Sequence, residues 1–230
     1  PGTDLMLQSS LFRWRHGAGW IVLSSSDHFR SDHREAIDSR MLNRCAADGA
    51  LVYIWAASDL TTAEQYLTYI SDLGGRSGYP LDVIAEDDDS LMTQLGEAGI
   101  VVVGDGPHRD NLYNGLHGAA IKAISHAYER GALVMGAGAG AEVFGQWLVD
   151  VAATLPRPGL GWLANAAVLT GSPDNARQQA LQHLLQEQPL AYGLDIGPDS
   201  ALALGPEGHV ELWGNRQIKV SLGRAYSAQG

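Results

Sequence analysis

One cysteine, Cys45, occurs among 230 residues. An intrachain disulfide is therefore excluded, and a reducing, cytoplasmic setting is the expectation. Long apolar runs are missing: no stretch of about 18 or more apolar residues occurs, so no membrane-spanning helix is expected. No basic leader followed by an apolar segment opens the chain, so no secretory signal is expected. Basic charge is scarce, with 15 Lys and Arg against 26 Asp and Glu and a formal net charge of -11. Nucleic acids and anionic membranes reward positive patches, so neither is an expected partner. The H-E-x-x-H and C-x-x-C patterns of metal sites are absent as well, and no cofactor is expected.

What remains is an ordinary globular composition, 45% hydrophobic and 18% charged, with enough length for one α/β domain. Strand-like and helix-like runs alternate. The pattern predicts strands at 20–23, 51–55, 81–85, 100–103 and 133–135. It predicts helices over 34–48, near 61–70, over 114–130 and over 141–153. Asp32 with Glu35, and Thr61 with Glu64, read as helix starts. Beyond Pro158 come short strands at 166–169, 200–204, 210–213 and 217–220 around one helix near 175–186, with Ser172-Pro173 as its expected start. Five βα units followed by short strands predict a mostly parallel sheet with helices on both faces and a C-terminal antiparallel extension. One domain over 18–222 is expected, with an N-terminal segment 1–17 and a tail 223–230. Ligands of such sheets sit at the carboxyl ends of the strands.

The most informative stretch is LVMGAGAGAEVFGQW, residues 133–147. Gly136, Gly138 and Ala141 match the dinucleotide fingerprint G-x-G-x-x-G/A, between a strand and a helix. Four βα units precede it, however, and no carboxylate follows about 20 residues on, as ribose recognition would require. The same residues match G-x-S-x-G, the sharp turn that lifts a nucleophilic serine above a sheet. Gly136-Ala137-Gly138-Ala139-Gly140 has every part of that turn except the hydroxyl. A third possibility is a glycine turn that lets helix and sheet pack closely.

The turn resembles that of the serine peptidases that include dipeptidase E and cyanophycinase, whose elbow reads G-x-S-A-G-A. The resemblance extends over roughly residues 18–222. Gly104-Asp105-Gly106-Pro107 is similar, with glycine and acid shuffled, to the family's oxyanion-hole motif. Gly159-Leu160-Gly161-Trp162-Leu163 and Leu169-Thr170-Gly171-Ser172 resemble the stretch that ends in the catalytic histidine. The segment from Gly193 to Leu202 is similar to a late strand of the family. The resemblance implies a three-layer α/β/α sandwich of the flavodoxin-like, class I glutamine-amidotransferase-like type. It also implies ancestral cleavage of short, often Asp-linked, peptides. It puts Gly138 at the serine position and Gly171 at the histidine position, so nucleophile and base are both missing, and a catalytically degenerate member is expected.

A vestigial pocket is then expected around Asp105, Gly106, His108 and Ala139, with backbone N–H groups able to hold a carboxylate or a small acidic peptide. A structural role in a homodimer, or beside an active paralogue, is the second expectation; Trp14, Trp147, Trp162 and Trp213 are candidates for an interface, although a place in the core is the simpler account of most tryptophans. The third is a hydrolase with relocated chemistry. Ser24, Ser25 and Ser26 lie at the end of the first strand, and Asp27, His28, Asp32 and His33 could bind a divalent metal. Solvated loop and helix caps are the simpler account of that cluster. Cys45, on an amphipathic face, reads as a structural thiol.

Overall fold

The computed structural model describes residues 12–25, 31–153 and 155–226. Its centre is a seven-stranded sheet. The strands β1 (Trp20–Ser24), β2 (Leu51–Ile54), β3 (Gly78–Leu81), β4 (Ile100–Val103) and β5 (Leu133–Ala137) run parallel in the order β1-β5-β4-β2-β3. The strands β10 (Ser200–Leu204) and β11 (Val210–Gly214) extend it antiparallel beyond β1. This is the expected α/β sandwich.

Alternation along the strands builds its layers. Val22, Tyr53, Val102 and Met135 point to one face, where they pack on Ile37 and Met41 of α1 (Asp32–Arg44) and Ala63, Tyr66 and Ile70 of α2 (Leu60–Asp72). Leu23, Ile54, Val103 and Val134 point to the other. There they meet Leu91 and Leu95 of α3 (Asp88–Gly96), Leu112 and Leu116 of α4 (Arg109–Leu116), and Ile124 and Tyr128 of α5 (Ala119–Glu129). Strands buried on both faces read as continuous apolar runs, which is why LVYI and IVVV are recognisable as strands.

The chain after β5 departs from the sequence expectation. The predicted helix over 141–153 is a four-residue helix, α6 (Ala139–Glu142), followed by β6 (Gly145–Leu148). With β7 (Arg157–Pro158), β8 (Leu163–Thr170), β9 (Tyr192–Ile196) and β12 (Ile218–Leu222), β6 forms a second sheet, ordered β12-β9-β8-β6-β7. Tyr192, Leu194 and Ile196 of β9 join the same core as α3–α5, while α7 (Asn175–Glu187) covers the opposite face through Leu181, Leu184 and Leu185. Residues 13–15 attach to this sheet: Arg15 N donates to Trp162 O at 2.8 Å, and Ala164 N donates to Arg13 O at 2.8 Å.

Smaller corrections have local causes. The predicted helix over 114–130 is broken between α4 and α5, where Gly118 adopts φ +84°. The third strand ends at Leu81, because Asp82 Oδ1 accepts the amide of Ile84 in a turn. The caps lie outside the expected boxes: Ser31 caps α1, Asp59 caps α2 and Asp174, rather than Ser172, caps α7, each accepting from an amide three residues on. Among the described residues, no helix is long and apolar enough to cross a membrane.

Candidate functional site

The site forms at the carboxyl ends of β1, β4, β5 and β8. β5 ends in Gly136 and Ala137, Gly138 turns the chain at φ +52° and ψ -118°, and α6 begins at once. That conformation is essentially restricted to glycine unless the surroundings impose it. Gly138 N donates to Ser24 O at 3.0 Å, which ties the turn to the end of β1. A Cβ on Gly136 would come within 2.6 Å of Gly140 O, and one on Gly140 would collide with Val103 O. Both glycines are thus required by the closeness of strand, turn and helix, as a nucleophile elbow demands.

The middle glycine has a different environment. A Cβ on Gly138 would fall inside the carboxylate of Asp105. Asp105 reaches over from the loop after β4, and its Oδ1 accepts two amides, Gly106 N at 2.8 Å and Ala139 N at 2.8 Å. These two donors have the arrangement of an oxyanion hole: one amide follows the elbow residue and the other comes from a neighbouring loop. The loop holding Gly106 is pinned by His108 N, which donates to Ala57 O at 3.0 Å. A side chain on Gly106 would collide with the same carbonyl.

A cleft of about 700 Å³ opens above the turn, bordered among others by Ser25, Asp105, His108, Glu142, Gly171 and Arg177. Of the four pocket residues expected from sequence, Asp105, Gly106, His108 and Ala139 all border it. His108 is exposed at the start of α4 and makes no side-chain capping bond. Gly171, at φ +77°, also borders the cleft, and a Cβ there would meet nothing within 4 Å.

A charge cluster in this cleft has no counterpart among the sequence motifs. Glu142, the last residue of α6, is buried. Its Oε1 accepts from Thr170 Oγ1 at 2.9 Å and from Arg177, and its Oε2 accepts from Arg109 Nη1 at 3.1 Å. Arg109 also donates to Val149 O at 2.9 Å. A buried carboxylate is tolerated only with such partners. Here they bind the elbow to the starts of α4 and α7 and the end of β8. The available signal is a carboxylate directly after a glycine turn, in a segment that otherwise reads as apolar. Along the rim, Arg157 Nη1 donates to Asp150 Oδ2 at 2.7 Å and holds the Asp150 carboxyl below its ordinary range.

The other candidates are dispersed. Ser24 is fully buried and accepts from Arg34 Nη1 at 2.8 Å. Arg34 in turn forms a buried two-bond pair with Asp38, at 2.7 and 2.9 Å, and Tyr66 Oη donates to Asp38 Oδ1 at 3.1 Å. Burial, and next the Asp38 charge, push the Tyr66 phenol well above its usual range. Ser25 is 5% exposed and borders the cleft. Ser26, Asp27 and His28 lie outside the described residues. Asp32 and His33 are exposed in the first turn of α1, and no group of three potential metal ligands occurs among the described residues. Cys45 Sγ donates to Gly99 O at 2.9 Å. Trp162 and Trp213 are core residues, and Trp14 and Trp147 are half-buried against it. The fingerprint glycines open a helix of only four residues, whose first amide is taken by Asp105.

A parallel sheet with an elbow turn after β5, and a two-amide hole beside it, is the architecture of an α/β serine-hydrolase site. The chain belongs to peptidase family S51, whose profile matches residues 20–208. Among solved structures, it is similar to a peptidase from an acI-B1 Actinobacterium, with a TM-score of 0.76 and 17% identity over 90% of this chain and 92% of that one. It is also similar to a putative peptidase E protein from Listeria monocytogenes EGD-e, with a TM-score of 0.59 and 15% identity over 89% of this chain and 98% of that one. No curated protein matches.

Proposed function

We propose that this family member is a pseudo-peptidase, with the hydrolase scaffold put to a binding or partner role. The observation that carries the reading is the position of Asp105: its carboxylate lies where a side chain at residue 138 would have to stand, and it accepts both amides of the hole. Acyl transfer needs a nucleophile, a base in reach of it and free donors for the developing oxyanion. Glycine at 138 and at 171 supplies neither nucleophile nor base, and the donors are already engaged. Loss of a triad serine or histidine alone costs orders of magnitude in rate.

In this role the cleft would take a small acidic peptide, whose contacts beyond its carboxylate offset the displacement of Asp105, or the protein would act as a homodimer or beside an active relative. The deciding experiment is an assay of the purified protein on Asp-Xaa dipeptides and on β-Asp-Arg polymer, with no turnover above buffer expected. Turnover that disappears in Ser25→Ala would overturn the reading in favour of a relocated nucleophile. Turnover lost on chelation and restored by zinc would do so in favour of a metal near Asp27–His33. Light scattering separates monomer from dimer.

A further inference from the structure

We infer that the two-amide hole of this protein is a carboxylate site with a resident ligand, and that Asp105 is the residue deciding what the cleft accepts. The inference rests on the reading of Gly138 as an elbow without its nucleophile, because only a glycine leaves room for the carboxylate.

Three observations carry it. The donors are backbone amides of two separate segments, the loop after β4 and the start of α6, and they converge on one oxygen at 2.8 Å each. Convergence of fixed amides on one oxygen is how proteins hold an anionic oxygen, since the donors need no reorganisation. The hole is rigidly built: collisions at Gly106 with Ala57 O and at Gly140 with Val103 O show both backbones already at their closest approach. Finally, the carboxylate arrives from inside the chain. Asp105 is bonded to the amide of the very next residue, so its tether is as short as a side chain allows.

An external carboxylate therefore competes with a tethered one. A short tether gives an effective concentration in the millimolar range or above, whereas one small free anion held by two amides alone binds weakly. Asp105 should exclude simple anions from the hole. A ligand that enters the cleft of the unaltered protein meets a carboxylate where an active hydrolase of this architecture offers donors. Specificity is then set by occupancy: an incoming acid must displace a built-in copy of its own functional group.

The test is titration with sodium acetate, followed through the backbone amide resonances of Gly106 and Ala139, with sodium chloride at equal ionic strength as control. In the unaltered protein these resonances should not move. In Asp105→Ala, and in Asp105→Gly, which both remove the resident carboxylate and leave Gly138 in place, they should shift saturably, and chloride should not reproduce the effect. In Asp105→Asn they should stay insensitive, because the carboxamide oxygen can accept the same two bonds. A saturable shift in the unaltered protein, an Asp105→Asn response equal to that of Asp105→Ala, or silence in both folded Asp105→Ala and Asp105→Gly would each overturn the inference. Turnover in the peptidase assay would overturn the pseudo-peptidase reading without bearing on these titrations.

Discussion

The turns after β5 and β8 end in glycines of similar handedness, Gly138 at φ +52° and Gly171 at φ +77°, yet their surroundings are opposite. At Gly138 the space of the missing side chain is filled: Asp105 occupies it and uses the amides that a reaction would need. At Gly171 the space is open. A methyl group there would have nothing within 4 Å, and only the backbone is engaged, through Gly171 N to Ile196 O at 2.9 Å. A side chain absent at a packed position forces its neighbours to respond, because interiors close around vacancies. One absent at a cleft wall leaves them indifferent. The two glycines therefore record different degrees of structural commitment to the same chemical loss.

The sharpest way to break this contrast is Gly138→Ala. The variant incurs the strain of a positive φ, a cost of order 1–3 kcal/mol. It also evicts a carboxylate from two charge-assisted bonds. Together these should destabilise the fold by about 3 kcal/mol, a fall in Tm of roughly 10 °C for a chain of this size. Gly171→Ala bears the backbone strain alone and should cost about 1 kcal/mol, or roughly 3 °C. Thermal melts of the two variants side by side decide the matter, and equal losses would show that Asp105 adds nothing to the Gly138 turn.

The contrast also explains what can be read from residues alone. The parallel core is legible because β2, β4 and β5 are continuous apolar runs, and the elbow because glycines at 136, 138 and 140 leave few structural alternatives. The second sheet is not legible. GQWL, residues 145–148, follows a short helix without a break in hydropathy, so it reads as that helix continued, and its strand character comes from pairing with β8. The convergence at the site is partly visible. Asp105, Gly106, His108 and Ala139 are expected to meet, but as an open pocket for an external anion. That the anion belongs to Asp105 itself depends on two hydrogen bonds closed by the fold, one of them between residues 34 positions apart. Glu142 is hidden for the same reason, since Arg109 and Arg177, its partners, come from two other helices.

The smallest effect concerns a charge on the strand beside the open turn. Asp195 lies on β9 next to Ile196, the residue that receives the Gly171 amide, and it is paired in register with Leu169 on one side and Lys219 on the other. Burial raises its carboxyl above the ordinary range, and the positive charges of Lys219 and Arg177 offset this only in part. A carboxyl whose folded-state pKa is raised favours the folded state fully below its unfolded pKa, and that contribution is lost as pH rises through the folded value. At neutral pH the ionised Asp195 thus works against the fold. Solvent screening of this half-buried group keeps the effect below about 1 kcal/mol. Asp195→Asn should therefore raise Tm slightly at pH 7, and the gain should shrink as pH falls towards the carboxylate range. A gain that grew on acidification would mean that Lys219 and Arg177 outweigh burial. The turn after β8 would then be held by charge, as the turn after β5 is held by Asp105, and the contrast between them would lose its basis.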